Sequence, residues 1–321
     1  MTMVLLIVCA VLFLGWVLLN RRTSRPDGTF IHKLHPFRRM MPYIMQGRNE
    51  SIVFYDTFAR AERLLEYLEQ VRTRFPVDVT HCLVAGVARG LALVPKMNVF
   101  CVGRRLYRRH EREITFSMKR KQLDREAKLS AVKLVMPAGE TFVELCGRIN
   151  AQITRERSGE KTYSDNELSF LTKLPRPVLN LGVRLLRWLD YHGILPGAFI
   201  KGDAMYTSVF VANLGSVGMD AGFHHLYEWG TCPLFLMVGK VEERALVEDG
   251  KVVVRKVMPL RFSYDERIED GFNAKFGIDA VRETLENPFE LLGGVAADGS
   301  DVRALDAPPA PDETKAAAGA A

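Results

Sequence analysis

The sequence predicts an α/β fold: a mixed sheet flanked by helices, preceded by one transmembrane helix and followed by a low-complexity tail. Three observations predict it. Between residues 37 and 292, amphipathic helical stretches are interleaved with short runs rich in β-branched and aromatic residues. Residues 3–19 (MVLLIVCAVLFLGWVLL) contain no charge. From Gly293 the composition shifts to Gly, Ala, Asp and Pro, which cannot bury enough apolar surface to offset chain entropy.

The first element is the apolar run. At about 1.5 Å per helical residue it just spans the hydrocarbon core of a bilayer. It lacks the positive n-region and small-residue cleavage site of a removed signal. Arginines follow it at Arg21, Arg22 and Arg25 and none precedes it. That asymmetry predicts a single-pass protein of the cell (inner) membrane with its body in the cytoplasm and lipid as a partner. Residues 1–20 are thus expected as anchor, 21–36 as juxtamembrane linker, 37–292 as the folded domain and 293–321 as disordered tail.

Within the domain, a first helix is expected near Arg38 and a strand over SIVFYDTF (51–58). Leu64, Leu65, Leu68, Val71 and Phe75 lie on one helical face. Thr80 is expected to cap the next helix, HCLVAGVARGLALV, which is apolar on nearly all sides and therefore buried. Short strands over 100–102 and 114–118 bracket a basic hairpin, with a further strand over 129–136 and an amphipathic helix over 140–153. Residues 174–195 form a helical stretch whose Arg184, Arg187 and Asp190 argue against a second span; it could lie on the membrane surface or line a pocket. Strands are expected over 206–214, 233–241, 251–257 and 260–264, with a hairpin turn at Glu248-Asp249-Gly250, and a last helix over 271–285.

The chain has 321 residues, 48% of them hydrophobic and 26% charged, enough for one large core or two small ones. Its five cysteines show no C-x-x-C spacing, which fits a reducing compartment, and no metal is expected. His81 and Cys82, inside the buried helix, read as core residues, with no second ligand at metal spacing. The net charge of +6 is concentrated in Arg104, Arg105, Arg108, Arg109, Arg112, Lys119, Arg120 and Lys121. The acidic residues interleaved with them weaken a nucleic-acid reading, and no nucleic-acid partner is expected; a solvated hairpin is expected, or one facing the inner leaflet.

Four segments carry a resemblance. VTHCLVAGVARGLALVPKMN (79–98), VANLGSVGMD (211–220), FLMVGKVEERALVEDGKVVVRKVMPLRFSYDERIEDG (235–271) and ENPFELL (286–292) resemble, in order and spacing, the catalytic domain of the dihydrolipoamide acyltransferases of 2-oxo-acid dehydrogenase complexes. The resemblance implies the chloramphenicol acetyltransferase-like fold, a homotrimer, and coenzyme A as a substrate. It also implies a base in the family's Asp-His-Arg-x-x-Asp-Gly motif and a serine hydroxyl donor, in Ser-Asn-Leu-Gly, for the oxyanion. Those two roles suit acyl transfer, because a thiol needs a base and the developing charge needs a donor already in place.

In this chain the histidine position holds Glu266 and the serine position Ala212, while Asp270, Arg267, Asn213 and Gly215 remain. The candidate catalytic residues are Glu266, Asp270, His224, His225 and Ser208. Glu266 would need burial to lift a carboxyl pKa from about 4.3 toward neutrality. The adjacent His224 and His225 could supply a base oriented by Glu228 or Glu266, and Ser208, on the same strand as Ala212, could supply the donor. Asp270 is expected to pair with Arg38 or Arg39. Asn213, Gly215 and Arg267 are the candidate cofactor-binding residues. No lipoyl attachment is expected in this chain, so an acyl-CoA or acyl carrier would arrive separately. Two functions follow: an acyltransferase of non-standard active site, or a pseudoenzyme serving as a catalytically inactive trimeric binding or scaffold protein.

Overall fold

The computed structural model describes residues 2–119, 129–158 and 173–307. Helix α1 (Thr2–Arg21) comes first, with none of its side chains buried. Among the described residues it is the one helix long and apolar enough to cross a membrane, by length and composition. Strand β1 (Gly28–Phe30) and helix α2 (Pro36–Ile44) follow. Then come β2 (Ile52–Arg60), α3 (Glu62–Val71) and α4 (Val79–Leu93). The middle holds β3 (Val99–Val102), β4 (Arg105–Arg109), β5 (Arg112–Lys119), β6 (Leu129–Met136) and α5 (Phe142–Arg157). Helices α6 (Arg176–Tyr191) and α7 (Gly197–Gly202) precede β7 (Val209–Asn213), β8 (Leu234–Val238), β9 (Glu242–Glu248) and β10 (Lys251–Asp265). Helices α8 (Gly271–Glu286) and α9 (Pro288–Leu291) close the order.

The main sheet runs β2-β10-β8-β7-β5-β6, with β9 paired to the first half of β10. It is mixed: β7 lies parallel to both β5 and β8, and the other pairs are antiparallel. Helices α3, α4, α5 and α8 bury one face, where Val209, Val211, Leu234, Leu236, Leu260, Phe262 and Tyr264 join the core. Strand periodicity sends their neighbours Phe210, Ala212, Phe235, Met237, Arg261 and Ser263 to the opposite face. A small sheet, β1-β4-β3, stands apart from the main one.

The two strands expected over 251–257 and 260–264 are one strand. Pro259 sits where β10 changes neighbour, after its pairing with β9 stops at Val257 opposite Glu242 and before its pairing with β8 starts at Leu260. Its missing N–H falls in that gap, and its carbonyl accepts from Gly239 at 3.1 Å. The hairpin turn holds as read, with Asp249 and Gly250 both at positive φ (50° and 75°).

Several expectations are corrected. The cap of α4 is Asp78, not Thr80: its carboxylate accepts from the Thr80 and His81 N–H groups, and the His81 ring reaches back. The basic stretch is itself strand β4, and Arg109 is buried, its guanidinium 4.4 Å from the Phe100 ring centre, donating to Thr207 O and Thr231 Oγ1. Arg120 and Lys121 lie outside the described residues. In the stretch read as a linker, Arg25 is buried and pairs with Asp27 and Asp190. In the stretch read as a tail, Leu305 is buried, Ala304 bridges Thr141, and Arg89 donates to the Leu305 carbonyl. Residues 308–321 of that stretch lie outside the described residues.

Candidate active site

The site is built on the end of β10 and the turn that leads into α8. Asp265, the last residue of the strand, is fully buried and holds Arg267 in a two-pronged pair, Nε to Oδ1 at 2.9 Å and Nη2 to Oδ2 at 2.8 Å. The third nitrogen of Arg267 donates to the Met45 and Gln46 carbonyls, tying the turn to the segment after α2. This clamp, with the Asp265 hydrogen bond foremost, holds the guanidinium pKa above its usual value despite burial, which opposes it. Ser51 Oγ donates to Asp265 at 2.8 Å. Arg267 was expected to bind cofactor; its guanidinium is instead engaged within the protein on all three nitrogens.

Glu266 sits between these clamped neighbours. Its N–H donates to the Ser51 carbonyl at 2.9 Å, and its own carbonyl accepts from Arg38 at 3.2 Å. Its carboxylate is half-buried and has no hydrogen-bond or ion-pair partner among the described residues. Arg38 also pairs with Glu269 at 3.0 Å and with Asp270 at 3.5 Å. Asp270 caps α8 by accepting from the Asn273 N–H. That hydrogen bond, with Arg38 nearby, holds the Asp270 carboxyl below the usual carboxylate range. Asp270 is thus a structural cap on the same turn as Glu266.

Ser208 does not stand near position 212's end of the strand. It precedes β7, buried, its hydroxyl donating to Asn98 Oδ1 at 2.6 Å and accepting from the Glu113 N–H at 3.1 Å. Four residues of strand place it roughly 13 Å from Ala212. The expected oxyanion role is therefore corrected: Ser208 locks β5 and β7 to the loop before β3. Asn213 is likewise engaged within the protein, accepting from the Ser216 N–H and donating to the Thr80 hydroxyl. A Cβ on Gly215 would lie 2.6 Å from the Gly239 carbonyl oxygen, so glycine there lets two loops cross. Among the described residues Ser263 has the buried hydroxyl without a partner, on the face of β10 opposite the core; nothing in the sequence distinguished it.

His224 and His225 lie on the loop that crosses this face. The His224 ring stacks on Phe235 at 4.6 Å between centres, and its Nδ1 lies 2.6 Å from the His225 carbonyl. His225 is exposed, edge-on to Tyr227. Among the described residues no carboxylate orients either one: Glu228 accepts from the Asn49 N–H instead.

The register fixes how far apart the key positions are. Ala212 pairs with Met237, and Met237 with Arg261. Glu266 lies five residues beyond Arg261 and two strands across, so within one chain it is roughly 16 Å along and about 10 Å across from Ala212. One chain does not bring these two positions to one reacting atom. Beside the clamp opens a cleft of about 260 Å³, lined by Gln46, Arg48, Arg104, Arg187, Glu228 and Arg267 among others. Arg48 is buried there, donating to two carbonyls while its Nε has no partner.

Residues 201–293 match the family of 2-oxoacid dehydrogenases acyltransferase (catalytic domain). That stretch contains every candidate site residue. Among curated proteins, the chain is 44% identical over 57 residues to the dihydrolipoyllysine-residue succinyltransferase component of the 2-oxoglutarate dehydrogenase complex of Cupriavidus necator, which is 18% of this chain and 14% of that one. It is 49% identical over 55 residues to the lipoamide acyltransferase component of the branched-chain alpha-keto acid dehydrogenase complex of Pseudomonas putida, 17% and 13% of the two chains. The chain therefore aligns with about one seventh of the length of these relatives. Solved structures extend the likeness to the fold. A probable dihydrolipoamide acetyltransferase from Listeria monocytogenes matches 80% of this chain and 94% of its own at 15% identity, TM-score 0.52. A chloramphenicol acetyltransferase matches 80% and 99% at 12% identity, TM-score 0.52.

Proposed function

We propose, for a chain that is related to the 2-oxoacid dehydrogenase acyltransferases and shares their fold, that it is a membrane-anchored acyltransferase of coenzyme A thioesters in which Glu266 is the base. The observation that carries this reading is the bracing around Glu266. The backbone on both sides of it is fixed by Ser51, Arg38 and the Asp265–Arg267 pair, yet its carboxylate has no partner among the described residues. A group held in place with its functional end free is arranged to meet something other than the protein.

In the reaction, the acceptor's S–H or O–H proton passes to the Glu266 carboxylate as the acceptor attacks the thioester carbonyl. The bond from carbonyl carbon to coenzyme A sulfur breaks, and the departing thiolate takes that proton back. The residues present fit a proton carrier but supply no side-chain donor at position 212. The cationic cleft lined by Arg48, Arg104 and Arg187 suits the phosphates of such a substrate. Helix α1 would be the anchor and lipid its partner, with the body on the cytoplasmic side of the inner membrane.

A homotrimer belongs to the same reading. The distance between Glu266 and position 212 within one chain leaves a site using both to be completed by a neighbouring copy. Exposed valines on the β9–β10 hairpin, Val247 paired with Val252 and then Val254, offer an apolar face for that copy.

The donor-less Ala212 favours a second reading, a catalytically inactive trimeric scaffold at the membrane. Calorimetry of coenzyme A and acetyl-coenzyme A binding to the detergent-solubilised protein, with thiol release followed in the same samples, separates the two. Thiol release that Glu266→Gln abolishes without weakening binding supports the enzyme. Release unchanged in Glu266→Gln removes Glu266 as the base, and absence of both binding and release leaves the scaffold.

A further inference from the structure

Helix α6 has two apolar faces. On one, Leu186 and Leu189 pack on the small cluster of Leu195, Ile200 and Tyr206. On the other, Val178, Leu181, Leu185 and Trp188 follow one another at helical spacing and are 50, 69, 53 and 46% exposed. A helix apolar on two sides with one side covered is built to meet something more. Arg176, Arg184 and Arg187 are exposed, while the sole acidic side chain of the helix, Asp190, is buried in its pair with Arg25. An outer face of leucine, valine and tryptophan with arginines beside it is the composition of a helix that lies in a membrane–water interface.

The structure also fixes where this helix stands. Its C-terminal end is bonded to the residues that leave α1. Arg25 pairs with the Asp190 carboxylate at 2.9 Å and donates to its carbonyl at 2.8 Å. Gly193 packs so closely on Ser24 that a Cβ would come within 2.9 Å of its carbonyl oxygen. Arg105, in the strand beside them, donates to the carbonyls of Arg22, at 3.0 Å, and Asn20. An anchor ending at Arg21 therefore leaves the end of α6 at the level of the lipid headgroups.

We infer that α6 is a second membrane contact: it lies along an anionic bilayer surface with Val178, Leu181, Leu185 and Trp188 in the acyl boundary and Arg176 and Arg184 among the headgroup phosphates. Together α1 and α6 hold the body in one orientation on the membrane, because the bonds from Arg25 and Arg105 tie the exit of α1 to the end of α6 and the strand beside it. The cleft bordered by Arg187 and Tyr191 then opens beside the membrane surface, within reach of an acceptor carried by lipid. This inference rests on the anchor reading of α1, and the test separates the two.

The full-length protein is reconstituted into phosphatidylcholine vesicles containing phosphatidylglycerol, with and without bromine on the acyl chains, as wild type, Trp16→Phe and Trp188→Phe. The difference between wild type and each variant isolates the emission of one tryptophan. Both Trp16 in α1 and Trp188 in α6 are expected to lose most of their emission in brominated lipid. The Trp188 loss is expected to disappear in Leu181→Asp/Leu185→Asp, whose substituted positions are exposed. Quenching of Trp16 without Trp188 overturns the inference and keeps the anchor; blue-shifted Trp188 emission in that case assigns the stripe to a second copy. If neither is quenched, the anchor falls with it.

Discussion

Position 266 is held by its backbone, and the residues on either side do the holding. Asp265 and Arg267 are almost wholly inaccessible, 0 and 4% exposed in their side chains, so removing one leaves the other's charge buried without its partner. Arg267→Met should therefore cost about 3–5 kcal/mol of stability, measured by denaturant unfolding. Ser208→Ala discriminates structure from chemistry. It strips the partner from Asn98 and from the Glu113 N–H, so stability should fall by about 1–3 kcal/mol while coenzyme A binding is unchanged. Asp270 gives a pH signature. Its folded pKa is depressed, so the stability it lends is complete above the unfolded carboxyl value and is lost as pH falls through the lower folded one. Unfolding midpoints followed downward from neutral pH should drop in the acid range less steeply in Asp270→Ala than in wild type, and that variant should lose about 1 kcal/mol of capping at neutral pH.

At the scale of elements, close backbone approaches decide where the helices and loops sit. A Cβ on Gly90 of α4 would stand 2.9 Å from the Gly277 carbonyl oxygen of α8. Gly90→Ala should push the two helices apart and lower the melting temperature, at a cost of about 1–3 kcal/mol. At Gly103, φ is +56° and a Cβ would collide with the Tyr191 carbonyl, so the β3–β4 hairpin and the end of α6 fit only with glycine there. The N-terminus of α4 is set by Asp78 and His81 rather than by Thr80. Thr80 was the expected cap; Asp78, two residues earlier, takes the role because the incoming chain directs its carboxylate at the Thr80 and His81 N–H groups.

Across the whole molecule, a connected series of buried charges lies on the face of the sheet away from the helices. Lys133 pairs with Glu113 at 3.1 Å, Glu113 with Arg109, and Arg109 approaches Asp27 at 3.8 Å, while Arg25 joins Asp27 to Asp190. Burial lowers the pKa of Lys133 and of Arg109, and the neighbouring carboxylates oppose that shift. This chain of ion pairs links β6, β5, β4, the segment after α1 and α6 into one body. Phe54 and Phe223 on the same side, edge-on at 5.1 Å, are exposed, as are Val247, Val252 and Val254 of the β9–β10 hairpin, and one copy leaves both open. Light scattering of the detergent-solubilised protein should give three protein copies per particle, and Val252→Lys/Val254→Lys should shift it to one.

The sequence by itself determined the fold class and most of the element order, because burial leaves a periodic trace: α4, β8 and α8 are apolar in the pattern their faces require. It also determined which positions to inspect, since the motif around Glu266 is contiguous in the chain. Only the tertiary structure decided what those positions do. Ser208, Asn213, Gly215 and Arg267 have partners at Asn98, Thr80, Gly239 and Met45, in segments far from them in sequence. Nothing local in a sequence records such a partner. The same holds for residues 21–36 and 293–307, polar in composition and yet folded onto the body. Arg25 and Leu305 are single anchors there, and one buried side chain in a polar stretch makes no period to detect.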